Sequence, residues 1–145
     1  MISKKVRAER LLKLAEFLEA LPRKRFDYGK FIGEDWQGAP DLSCGTTACA
    51  LGWAATMPEF RRLGLCVVES GPYTNLGTVK DLKTGETEES AALRIFGLDY
   101  HQADWLFIPG FDDEKQRPNA RATAKAVAKH IRRFVANPAV AGEAW

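Results

Sequence analysis

Apolar and polar positions divide the chain into helices separated by an aromatic-rich linker and one short ribbon. Ala8, Leu11, Leu14, Ala15, Phe17, Leu18 and Leu21 recur at helical spacing, with Leu12 at the edge. Lys5, Lys13, Glu16 and Glu19 fall on the remaining face. The pattern predicts a first helix that starts at Ser3, a capping residue, and stops before Pro22. Residues 22–43 have no regular period, but Phe26, Tyr28, Phe31 and Trp36 predict an ordered loop pinned to the core, with room for one helical turn. From Ala48 to Met57 only Thr56 is polar, so a second helix over about 46–57 should be buried on all sides. Thr46 or Thr47 would cap it, and Pro58 would stop it. Gly52 weakens such a helix by about 1 kcal/mol relative to alanine, which points to close approach of a neighbouring element.

Residues 65–70, "LCVVES", and 77–87, "GTVKDLKTGET", read as strands with Val79 and Leu82 in alternation and Lys83-Thr84-Gly85 as a turn. A two-stranded ribbon is unstable alone and must lie on helices. Thr87 is expected to cap a third helix carrying Ala91, Ala92, Ile95 and Phe96, which ends at Gly97. Asp99 and Gln102 form the pattern of a capping box for a fourth, which ends before Pro109. A last helix over about 119–135 places Ala120, Ala124, Val127, Ala128, Ile131, Phe134 and Val135 within about 120° of arc. Arg121, Lys125, Lys129, Arg132 and Arg133 form its basic face, and His130 borders that face. Residues 139–145 are expected to fray. The expectation is one domain over 1–145, mainly α with a small antiparallel β ribbon (α+β), built around the helix at 46–57.

Composition agrees: 145 residues, 46% hydrophobic and 28% charged, suit one domain that needs no disulfide or metal to hold together. The net charge of +2 hides an uneven distribution. Residues 1–30 hold nine Lys/Arg against four Asp/Glu, and residues 115–145 seven against one, whereas residues 81–114 are acidic by nine to two. The ends therefore make a basic surface, or the middle neutralises them in the fold. No run of 18 apolar residues is present, so no membrane-spanning helix is expected. Glu9, Lys13, Glu16 and Glu19 interrupt the leucines of the first helix, which reads as an amphipath and not an export signal. Three cysteines, an odd number, suit the reducing cytoplasm.

The run 44–53, "CGTTACALGW", carries the candidate chemistry. A thiol at a helix start feels the positive end of the helix dipole, and Cys44 is so placed. The amides of Gly45, Thr46 and Thr47 could receive an anion or oxyanion, and His101 is the candidate base. The run loosely resembles the C-G-S-C-W string of papain-like peptidases, but its second cysteine and tryptophan come later, and neither histidine falls in a predicted strand. Cys49, Gly52 and Trp53 read as structural. The spacing Cys44-x4-Cys49, unlike a C-x2-C knuckle, gives no zinc site, so neither metal nor cofactor is expected. The basic face of the last helix could track phosphates. However, the helix-turn-helix pattern at 90–107 shows Asp99, Asp104 and bulky apolar groups where a reading helix needs donors.

Three segments together, "RFDYGKF", "CGTTACALGWA" and "AALRIFGLDYHQADWLFIP", resemble a group of small bacterial and phage proteins with a C-G-T-x-x-C-x-x-G-W-A core. The resemblance covers residues 25–109. It implies that Cys44, Gly45, Thr46, Cys49, Gly52 and Trp53 belong to one shared structural unit, and it brings no activity with it. The expected role is a cytoplasmic, non-enzymatic interaction or accessory module with a protein partner or self-association. The alternatives are a Cys44-dependent thiol hydrolase or transferase with His101 as base, and a nucleic-acid accessory protein using the last helix.

Overall fold

Ser3 opens α1 (Lys4–Ala20), its hydroxyl accepting the Val6 amide at 3.2 Å. Leu11, Leu14, Ala15 and Leu18 on this helix are completely buried, and the helix ends at Leu21, before Pro22. These positions come from a computed structural model that describes residues 2–33, 36, 38, 47–70, 77–110 and 117–143.

After a 3-10 turn at Arg23–Arg25, the chain folds back over the segment that starts at Thr47. Ala48 bridges both Phe26 and Ile32, the Cys49 amide donates to the Lys30 carbonyl at 2.8 Å, and Gly33 donates to the Thr47 carbonyl at 2.7 Å. This pairing corrects the expected bounds of the central helix. Regular helix α2 spans Ala50–Ala54, preceded by Cys49 in extended backbone, so Thr47 does not cap it. Backbone groups of 47–49 that a longer helix would have used internally are spent instead on residues 25–33. All five residues of α2 are buried, so a buried central helix is present in shorter form. Pro58 then begins α3 (Pro58–Arg61).

Strands β1 (Leu65–Glu69) and β2 (Gly77–Asp81) pair antiparallel, with Leu65 opposite Asp81 and Val67 opposite Val79. Leu82 does not continue the inward alternation and is 62% exposed. Asp81, two positions after buried Val79, turns inward with its carboxylate accepting the Lys83 amide at 3.0 Å; the two-residue period of a strand puts Leu82, three positions after Val79, on the opposite face. A 3-10 turn at Glu88–Ala91 leads into α4 (Ala92–Phe96); Thr87 makes no side-chain capping bond. Gly97 ends α4 in the left-handed conformation, and Asp99 opens α5 (Tyr100–Phe107) with both halves of the capping box formed.

Thr123 caps α6 (Ala124–Ala136), four residues or more after the expected start. Asn119 takes the Arg121 amide with its side chain at 2.9 Å, a local turn that competes with helix. Ala120 and Arg121 accordingly lie outside the helix and are exposed. Residues 139–143, expected to fray, form α7 (Ala139–Glu143), which packs against α5 and α6 with Ala141 buried. The most extensive helix–helix contact is that of α1 with α6. The start of α1 meets the end of α6 and the end of α1 meets its start, so the two run antiparallel. The outcome is mainly α with a two-stranded antiparallel ribbon, around a core shared by all these elements.

Candidate functional site

Cys44, Gly45 and Thr46 lie outside the described residues, and the motif can be followed from Thr47 onward. Thr47 is half-buried and precedes α2 by three residues, so its amide does not stand at a helix start where an oxyanion would be received. Cys49 is buried beneath residues 25–33, with Sγ 4.0 Å from the Phe31 carbonyl oxygen. Burial raises its thiol pKa to about 11, which makes it inert as a nucleophile at neutral pH. A Cβ built on Gly52 would lie 2.0 Å from the same Phe31 oxygen, the close approach that the glycine implied. Trp53 donates its indole N–H to the Arg25 carbonyl at 2.9 Å, while the Arg25 guanidinium lies over its ring at 5.0 Å. Cys49, Gly52 and Trp53 thus anchor the 25–33 segment, each by a different contact.

His101 is exposed on the first turn of α5, beside Lys4 and Arg7 of α1 and Asn137 after α6, in an open groove of about 680 Å³. None of the described residues 47–53 lines this groove. On α6, Lys125 and Lys129 are exposed, but Arg133 is half-buried. Arg132 grips both carboxylate oxygens of Glu19 on α1, at 2.7 and 2.9 Å, and that bond holds the Glu19 carboxyl below its usual pKa. The basic face is therefore interrupted by acid from the neighbouring helix.

Sequence reasoning missed the polar cluster at the end of α5. The last carbonyls of a helix have no partner within it. Here Tyr28 donates its hydroxyl to the Leu106 carbonyl at 2.6 Å, and His130 binds the Trp105 carbonyl through Nε2 at 2.7 Å. Arg117 Nη2 reaches the carbonyls of Asp104 and Ile108 at 2.8 and 3.0 Å, and the Asp104 carboxylate at 3.0 Å. Because a carbonyl only accepts, Nε2 of His130 carries the proton, which leaves Nδ1 as an acceptor; this atom is buried without a partner. Burial is the main cause that lowers the His130 pKa to about 4, and the bond to the Trp105 carbonyl offsets it only in part. Burial likewise drives the Tyr28 phenol pKa upward. The signal was present: position 130 follows Val127 by three and precedes Phe134 by four, which puts it on the apolar face of the helix.

A second cluster fixes the ribbon. Arg94 on α4 donates Nε and Nη2 to the two Asp81 oxygens at 2.8 and 2.9 Å, and Nη2 also reaches the Leu63 carbonyl. Burial acts against the Asp81 carboxylate, but its bonds from Arg94 and the Lys83 amide outweigh that and lower its pKa. Among the described residues, no three His, Cys, Asp or Glu side chains gather to hold a metal. No helix among them is long and apolar enough to cross a membrane. Comparison of the chain with protein-family models, with curated proteins and with solved structures gives no match.

Proposed function

We propose that the chain is a non-enzymatic interaction or accessory module of the cytoplasm, acting through the outer face of α6 and the adjoining face of α1. The observation that carries this reading is the use made of the buried reactive groups. Tyr28, Cys49 and His130 each face a backbone carbonyl, and their shifted pKa values follow from burial, not from pairing with a catalytic partner. Perturbed groups of this kind mark active sites only when they converge in a cleft. The resemblance of residues 25–109 to the bacterial and phage group fits the same reading, since the shared residues that can be seen act in packing.

The face itself suits a protein surface or a second copy of this chain better than a polyanion. Lys125 and Lys129 are exposed, but Arg132 lies in the field of Glu16 and is bound to Glu19. Carboxylates there would repel phosphates. The contact is expected to be ionic and salt-sensitive, because the exposed large apolar side chains among the described residues are Leu82 and Tyr100. Sedimentation velocity over a range of concentrations should show association at low salt, lost at high salt and in a Lys125→Glu/Lys129→Glu variant. Retention on mixed-sequence duplex DNA with a steep salt dependence would replace this with the nucleic-acid reading. For the thiol reading the measurement is Cys44 alkylation by iodoacetamide at neutral pH. A rate near that of free cysteine is expected, and one far above it would overturn the non-enzymatic role.

A further inference from the structure

Between the start of α1, the loop after α3 and the α4–α5 link lies a cavity of about 540 Å³. It is separate from the α6 face and from the groove at His101. Its walls are the aliphatic side chains of Ile2, Leu63, Leu93 and Leu98. Gly97 allows its shape: a Cβ there would stand 2.6 Å from Ile2 Cγ1, so the left-handed glycine lets Ile2 close one side. Two arginines complete the lining, Arg10 from α1 and Arg94 from α4.

The arginines differ in what they have left to offer. Arg94 is committed through Nε and Nη2 to Asp81, and its charge is matched there. Arg10 uses only Nη1, on the Ile95 carbonyl at 2.6 Å. Among the described residues its Nε and Nη2 have no partner, and these two nitrogens form one edge of the guanidinium, the edge that binds a carboxylate with two parallel hydrogen bonds. One surplus positive charge therefore stands at an apolar-walled cavity, within the range of volumes that hold small ligands. Such a site would favour a single negative charge on an aliphatic body over a free phosphate, whose higher charge one guanidinium cannot match and which gains nothing from the leucines.

We infer that this cavity binds a small aliphatic carboxylate, its carboxylate on the Nε/Nη2 edge of Arg10 and its chain against Ile2, Leu63, Leu93 and Leu98. Three probes separate the contributions: octanoate, octanol with the tail alone, and acetate with the charge alone. In calorimetric titration of the full chain, octanoate should bind saturably and raise the melting temperature, with octanol and acetate weaker by ~10-fold or more. Arg10→Met keeps an apolar stem without the fork, so octanoate affinity should fall ~10-fold or more while octanol is unchanged. Leu63→Trp, which fills the cavity and leaves Arg10 in place, should abolish binding of both and guards against a folding defect in the first variant. Absence of saturable octanoate binding, equal binding of acetate, or unchanged affinity in both variants would overturn the inference.

Discussion

A Cβ at Gly52 would stand 2.0 Å from the Phe31 carbonyl oxygen and 2.8 Å from the Ala48 Cβ, so an added methyl must displace backbone and not a flexible side chain. Gly52→Ala should therefore cost at least about 3 kcal/mol in urea unfolding, although alanine is the better helix former, because overpacking outweighs propensity here. His130 sets a pH response of definite sign. Its folded pKa of about 4 is below the unfolded value near 6.5, so above pH 6.5 the ring is neutral in both states and the fold keeps its full stability. As pH falls from 6.5 towards 4, the unfolded chain takes the proton first and stability drops, by about 3 kcal/mol in all, levelling off below pH 4. Asp81 works in a lower window, because its depressed pKa gives stability that is lost only below the usual carboxylate range. His130→Gln should flatten the slope between pH 6.5 and 4 while leaving the acid limb in place, measured by denaturant unfolding across pH.

At the scale of elements, the Asp81–Arg94 pair ties the ribbon to α4. Asp81 is 1% exposed, but Arg94 keeps about a third of its side chain in water, so removal of one partner is less severe than for a pair buried on both sides. Asp81→Ala should cost about 2–3 kcal/mol and quicken amide exchange in β1 and β2 before α1 or α6. The legible elements were those governed by local chemistry: Ser3 and its helix, the Asp99–Gln102 box, left-handed Gly97, and the two strands. Gly52 was legible too, since a glycine in a wholly apolar run needs a packing reason. The second helix was misjudged because Ala48 and Cys49 take their hydrogen bonds from residues 25–33, and no local pattern announces a partner that distant. The last helix began late because Asn119 satisfied an amide by itself before the helix could. At the site, the structural roles of Cys49 and Trp53 were readable, and so was the burial of Tyr28 and of His130, the latter from its spacing to Val127 and Phe134. The carbonyls that Tyr28, Arg117 and His130 bind were not, since helix-end carbonyls leave no trace in side-chain periodicity.

For the molecule as a whole, α1 and α6 come from opposite ends of the sequence and form its broadest internal seam. Leu11, Leu14 and Leu18 on one side, with Val127, Ile131 and Phe134 on the other, are fully buried. A chain lacking residues 2–21 should therefore show no cooperative thermal transition in calorimetry, because exposing several buried leucines, each worth roughly 2 kcal/mol, exceeds the usual stability margin. The carbonyls at the end of α5 bear on how this molecule comes together in time. Arg117, close in sequence, serves the carbonyls of Asp104 and Ile108, but the donors to the other two are Tyr28, 78 residues upstream of Leu106, and His130, 25 residues downstream of Trp105. Until both segments arrive, the Trp105 and Leu106 carbonyls of that helix end have only water to bond. Its order should then be gained late, after the barrier to folding has been crossed. Tyr28→Phe should consequently leave the folding rate almost untouched and show its whole effect, about 1–3 kcal/mol, as faster unfolding in stopped-flow measurements.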